Sequence, residues 1–219
     1  MSRLFGPQHR ALQDEFQSRQ LADRIELVAA RTEMDDLTKA FIESRDMFFL
    51  STLDHGGRPT VSYKGGDPGL VRVIDPTTVV FPNYDGNGMY YSMGNLNMNP
   101  EIGMLFIAFD KPNRLRLQGR AELVRSGPLL EMFNEADLAV RVSISEIWTN
   151  CPRYVHRYEK VKSSRYVPRD GVETPLCGWK RIDEIQDVLR PAETAAVEKE
   201  GQITAEDWME RVIKGDESA

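Results

Sequence analysis

The stretch Arg114–Leu123, RLRLQGRAEL, alternates between two classes of side chain without a break. Leu115, Leu117, Gly119, Ala121 and Leu123 take one side of an extended chain, and Arg114, Arg116, Gln118, Arg120 and Glu122 take the other, because successive strand side chains point to opposite faces. A period of two over this length predicts an antiparallel sheet with one buried face and one wet face. The runs MFFLSTL, RPTVSY, LVRVI, TTVVF and EIGMLFIAF precede it, separated by DHGG, GGDPG, DPT and PNYDGNG. Short strands punctuated by Gly, Pro and Asp predict a meander or barrel. Downstream, a helix is expected from Pro128 to about Ala139 and a strand from Val140 to Ile147.

Residues 8–44 have helical spacing instead: Leu12 and Phe16, then Leu21, Ile25 and Val28, then Leu37 and Phe41. TEMD at Thr32–Asp35 resembles a helix start with Thr32 as cap, so two helices broken near Arg31–Thr32 are expected. Near the C-terminus, RIDEIQDVLRP and TAEDWMERVIKG each predict a short amphipathic helix, and the acidic stretch Glu193–Gln202 predicts a linker. The organisation is a helical segment over 1–45, a β-barrel over 46–160 and a C-terminal extension over 161–219.

The 219 residues can bury a substantial core without covalent staples. A net charge of −6 argues against general affinity for nucleic acid. The start, MSRLFGPQHR, lacks the apolar stretch of a secretory signal, and no run is long enough to span a bilayer. Cys151 and Cys177 make neither a disulfide framework nor a metal site by spacing, so a cytoplasmic protein with two free thiols is expected. His9, His55 and His156 are dispersed, and no metal centre is expected.

Four places offer chemistry. Lys64-Gly65-Gly66 reads either as a hairpin with a lysine at its shoulder or as glycine amides and a cation around an anion. The segment Phe81–Pro100 places Asn83, Tyr84, Asn87, Tyr90, Tyr91, Ser92, Asn95 and Asn97 close together, a density of hydroxyls and amides suited to a polar ligand. It also reads as a turn-rich loop using Asn and Gly for its backbone angles. Within it, SMGNLNMNP predicts a helix capped by Ser92 with free amides directed at an anion. Arg114 and Arg116 share the polar strand face, as a solvated surface or as an anion-binding wall of a subunit groove. Cys151 and His156 are five residues apart, a nucleophilic dyad or simply part of an interface rich in Tyr and Arg.

The order of FFLSTLDHGGRPTVSYKGG, VVFPNYDGNGMYYSMGNLNMNPEIGMLFI and RLRLQGRAEL, over roughly residues 35–160, resembles the FMN-binding split-barrel superfamily of pyridoxamine 5′-phosphate oxidase-like proteins. The resemblance implies a mainly β fold with flanking helices, a six-stranded antiparallel split barrel, and a homodimer with FMN in the grooves between subunits. It sets Val61, Ser62, Tyr63 and Lys64 along the flavin and its phosphate arm. Backbone groups of Phe81, Pro82 and Asn83 would meet the ring, Tyr91, Ser92 and Asn95 the phosphate or ribityl chain, and Arg114 the flavin. Asn87 and Arg116 complete the expected cofactor-binding set. The authentic oxidases carry Arg-x-Val-Leu-Leu-Lys and Ser-Arg-Lys; here Ser62 replaces the arginine and Tyr90-Tyr91-Ser92 stands for the second motif. The expected function is an FMN-dependent oxidoreductase of unknown substrate, without the motifs of an authentic pyridoxamine phosphate oxidase, working with a small-molecule electron donor or acceptor. The alternative is a dimer that binds or senses flavin, deazaflavin or haem without turnover.

Overall fold

A computed structural model describes residues 2–219. Its centre is one antiparallel sheet of seven strands: β1 Met47–Leu53, β2 Pro59–Gly65, β3 Arg72–Asp75, β4 Thr78–Tyr84, β5 Glu101–Ala108, β6 Asn113–Val124 and β7 Ala136–Asn150. The order across the sheet is β2-β1-β5-β6-β7-β4-β3. The six strands implied by the resemblance are thus one too few. LVRVI contributes its own short strand, β3, which pairs only with the first residues of β4.

The alternation predicted for RLRLQGRAEL is present, with Leu115, Leu117 and Gly119 buried and Arg116, Gln118 and Arg120 exposed. Its inward residues join Phe48 and Leu50 of β1, Phe106 of β5, Phe81 of β4 and Val140 of β7 in one core. Strands β2 and β3 follow each other in sequence but lie at opposite edges of the sheet. The hairpin reading of Lys64-Gly65-Gly66 is therefore overturned. The connector is tied down elsewhere: Gly66 N donates to Asp46 O at 2.8 Å, and Gly69 N to Glu43 O at 2.7 Å.

The N-terminal segment holds three helices where two were expected: α1 Pro7–Glu15, α2 Arg19–Ala29 and α3 Asp36–Glu43. Gln17, with φ of 53°, turns the chain between the first two. The second break falls at Arg31, which exchanges backbone hydrogen bonds with Ile147 of β7 at 2.9 and 2.8 Å. Asp35, not Thr32, caps α3 by accepting from Thr38 N at 2.8 Å. Helix α4 is Tyr91–Met98. The helix expected over 128–139 is only α5, Pro128–Glu131, since β7 is already pairing with β4 at Ala136.

The chain divides into two compact units, one ending at Glu159 and one comprising Lys160–Ala219. In the second, the expected linker over Glu193–Gln202 is instead helix α6, Pro191–Glu200. Proline at its first position suits a helix start, and Glu193 accepts from Arg190 N at 2.9 Å. Residues Asp183–Val188 form a 3-10 helix. Helix α7, Ala205–Lys214, starts as its sequence predicts, with Thr204 Oγ accepting from Asp207 N at 3.0 Å.

Candidate functional site

On β2 the side chains of Thr60, Ser62 and Lys64 point one way, and those of Val61 and Tyr63 point the other. The first set faces α4. Asn95 Nδ2 donates to Thr52 Oγ1 at 3.0 Å and to Thr60 Oγ1 at 3.4 Å, joining the helix to the β1–β2 pair. One turn earlier on the helix, Ser92 Oγ lies 3.2 Å from Ser62 Oγ. Helix α4 therefore runs opposite to β2, and its start points toward the next residue on that face, Lys64. Two residues of strand carry that position about 7 Å beyond Ser62.

This helix start is open. The residue before it is Tyr90, in a left-handed conformation with φ of 46°, and no side chain caps the first turn. Ser92 is thus not the expected cap; it lies within the first turn. Uncapped amides at a helix N-terminus carry partial positive charge and accept an anion. Lys64 adds a whole charge. It is half-buried, burial holds its ammonium below the usual lysine range, and it has no ion-pair partner among the described residues. Ordinarily a buried charge is paired.

The neighbouring anchors are structural. Asp54 is buried, and its carboxylate accepts from Arg58 N and Gly56 N, both at 2.9 Å, which closes the β1–β2 turn and holds its carboxyl below the usual range. Tyr90 Oη donates to Asp137 Oδ2 at 2.8 Å. Asn87 serves its own turn, accepting from Met89 N at 3.1 Å. Phe81 is fully buried in the core with Pro82 beside it, so only their backbone groups are left to meet a ligand; Asn83 is half-buried.

Tyr91 opens α4, and its Oη donates to Asp54 Oδ2 at 3.5 Å. Val61, Tyr63, Arg114 and Arg116 lie on the opposite, outer face. Val61 lines a cavity of about 230 Å³ with Phe49, Leu105, Arg116, Gln118 and Trp148. Tyr63 is exposed beside it, edge-on to Phe49. Arg116 has no ion pair among the described residues. Arg114 Nε donates to Cys151 O at 3.2 Å, bracing the end of β7. The structure thus joins Ser62 to Ser92 and puts Lys64 on the same face of β2, and separates them by the thickness of the sheet from Val61, Tyr63, Arg114 and Arg116. Thr52, Thr60, Gln118 and Trp148 were not singled out from the sequence. Gln118 was within reach, sharing the alternating face of Arg116; nothing local marks Thr52.

Among the described residues no cluster of His, Cys, Asp and Glu could hold a metal ion, and no helix is long and apolar enough to cross a membrane. The family model for pyridoxamine 5'-phosphate oxidase matches residues 34–161, more than half of the chain. No curated protein matches. Similar solved structures include tagged HupZ of Group A Streptococcus, with 15% identity over 57% of this chain and 100% of that one, at a TM-score of 0.45. A putative pyridoxamine 5'-phosphate oxidase from Lactobacillus delbrueckii has 16% identity over 54% of this chain and 95% of that one, at 0.44. An FMN-binding protein from Syntrophomonas wolfei has 13% identity over 64% of this chain and 97% of that one, at 0.39.

Proposed function

Since the chain belongs to the pyridoxamine 5'-phosphate oxidase family, we propose that it binds FMN as a homodimer and uses it as a redox enzyme. The observation that carries this reading is Lys64: a half-buried ammonium with no carboxylate partner among the described residues, on the strand face toward which the uncapped start of α4 is directed. A phosphate dianion is the group that such a cradle suits. It can take hydrogen bonds from the ammonium, from Ser92 and from the first-turn amides, and charge-assisted bonds of this kind are the strong ones. The hydroxyls of Ser62 and Ser92, already in contact, would orient each other toward it.

When bound, the flavin supplies the electron transfer, while the protein fixes its position and tunes its potential. This chain's residues bind and orient. Backbone groups of Phe81–Asn83 lie where the strand runs past β3, whose pairing with β4 stops at Val80. The arginines of the outer face cannot reach the same phosphate as Lys64 within one subunit. In a dimer, the outer face of one copy would close the groove of the other, and the exposed Val61 and Tyr63 on that face support such a contact. Among the described residues no side chain stands out as a general base for the substrate.

The test is direct. Purified protein should be yellow, or become so on titration with FMN, at one flavin per chain, and it should sediment as a dimer. Lys64→Ala and Ser92→Ala should each weaken FMN binding, with the lysine costing about 1.5–3 kcal/mol, or roughly 10- to 100-fold. Colourless protein that takes up no FMN on titration would sink the proposal.

A further inference from the structure

Between the N-terminal helices and the outer sheet face lies a second cavity, of about 410 Å³, whose walls include Phe5 and Ile25 on one side and Arg116, Gln118, Trp148 and Asn150 on the other. That volume is in the range of small-molecule sites. Most of the wall is apolar, and the polar groups in it are specific. Asn150 Oδ1 is buried and accepts no hydrogen bond from the described residues. Native proteins rarely leave such an acceptor unpaired, so one at a cavity wall marks where a donor belongs. Arg116 brings a guanidinium that no carboxylate among the described residues neutralises. The acid in the wall, Glu26, is turned to the N-terminal segment: its carboxylate accepts from Ser2 Oγ at 2.8 Å, Arg3 N at 2.7 Å and Leu4 N at 3.1 Å.

The sheet register fixes how these groups are spaced. Arg116 of β6 stands opposite Trp148 of β7, and Arg114 stands opposite Asn150. Arg116 and Asn150 are therefore diagonal neighbours on one face, about 7–8 Å apart, with Trp148 directly across from Arg116 and two residues before Asn150 on β7. We propose that this cavity binds a small aromatic carboxylic acid: Arg116 takes the carboxylate, Trp148, Phe5 and Ile25 enclose the ring, and Asn150 Oδ1 accepts from a hydroxyl or amine at the far end. The planar fork of arginine matches a carboxylate in two parallel hydrogen bonds, and the ring finds an aromatic partner in the indole. This site does not rest on the flavin reading, since its walls belong to one subunit, include neither Lys64 nor Ser92, and are closed on one side by the N-terminal segment.

Three probes separate the two polar contacts: 4-hydroxybenzoate, 4-hydroxybenzamide without the charge, and 4-methylbenzoate without the donor. Calorimetric titration of the full chain should show 4-hydroxybenzoate binding once per chain, and each analogue at least about ten-fold more weakly. Arg116→Gln should abolish the preference for carboxylate over carboxamide, and Asn150→Leu should reverse the preference for hydroxyl over methyl. Flavin absorbance recorded on the same samples keeps this result apart from the fate of the FMN proposal. No binding of 4-hydroxybenzoate at millimolar concentration, or equal binding of all three probes, would overturn the inference. The comparison of the three probes on the unaltered chain decides even if a variant fails to fold.

Discussion

Phe48 on β1 and Phe81 on β4 meet edge to face with ring centroids 5.0 Å apart, although three strands stand between theirs in the sheet. In a flat sheet those positions would be roughly 19 Å apart, at about 4.8 Å per strand. The sheet is therefore rolled around this pair, and the rolling places β2 and α4 over one end of the core. Replacing Phe81 by alanine leaves a cavity where the roll closes, and should cost about 3–5 kcal/mol. Urea unfolding followed by fluorescence measures it. A loss under about 1 kcal/mol would mean that other contacts hold the roll.

Gly119 sits where the pairing of β6 with β7 shifts register, between Gln118 and Gly119. A Cβ there would lie 2.3 Å from Ser143 O, a backbone atom that cannot step aside. Gly119→Ala should destabilise by about 1–3 kcal/mol or more, the cost of overpacking a rigid site. Gly86 is the control, since nothing lies within 4 Å of its would-be Cβ; Gly86→Ala should stay within about 0.5 kcal/mol of the parent. Thermal denaturation of the two variants side by side distinguishes a steric cause from a general intolerance of the strand.

Most of the sheet was legible because its signals are local. The alternation of Leu115 and Leu117 with Arg114 and Arg116 fixes a strand and its faces without reference to anything distant. Helix boundaries were less so. The break at Arg31 depends on hydrogen bonds to Ile147, and the early end of α5 depends on the pairing of Ala136 with Tyr84. Neither partner is near in sequence. The candidate site shows the same division. Ser62, Ser92 and Lys64 carry the right chemistry in the sequence, but that β2 and α4 run oppositely, so that the helix start is directed toward the lysine end of the strand, is a tertiary fact. The division of the candidate residues between two faces of the sheet was implicit in the period of β2, where Val61 and Ser62 cannot point the same way.

Glu193 makes the acid limb of stability testable in the second unit. Its carboxyl is pulled from 4.5 to about 2, first by the hydrogen bond from Arg190 and, against the opposing effect of burial, by that from Lys180. Lys180 is buried, with Nζ 2.6 Å from Glu193 Oε1. The folded state prefers the charged carboxylate, so the stabilisation is fully present above about pH 4.5 and lost as pH falls through about 2. Glu193→Gln should therefore be less stable than the parent near neutrality, on the order of 3 kcal/mol, because the buried Lys180 ammonium loses the carboxylate 2.6 Å from it. The gap should narrow steadily below pH 4.5. Chemical denaturation of both proteins at several pH values measures the difference, which cancels the other carboxylates. A gap independent of pH would show that the ion pair is not its source.

Lys64 is where stability and binding should pull in opposite directions. Its ammonium is half-buried, and burial alone lowers its pKa, with no carboxylate to offset the loss of water. A group in that condition burdens the empty protein and is tolerated if an anionic ligand supplies the missing partner. Lys64→Met keeps the apolar stem and removes the charge, so the flavin-free variant should be more stable than the parent by about 0.5–1 kcal/mol. Its affinity for FMN should fall roughly 10- to 100-fold. The linkage has a sign in pH as well. Because the folded value lies below 10.5, the unfolded chain holds the proton more tightly, and the burden eases as pH rises through the folded value toward 10.5. The stability advantage of Lys64→Met should shrink over that alkaline range, and saturating FMN should reverse it at neutral pH. Thermal midpoints with and without FMN, at neutral and alkaline pH, carry the whole comparison. A variant that loses stability without ligand and binds FMN as the parent does would remove Lys64 from the cradle.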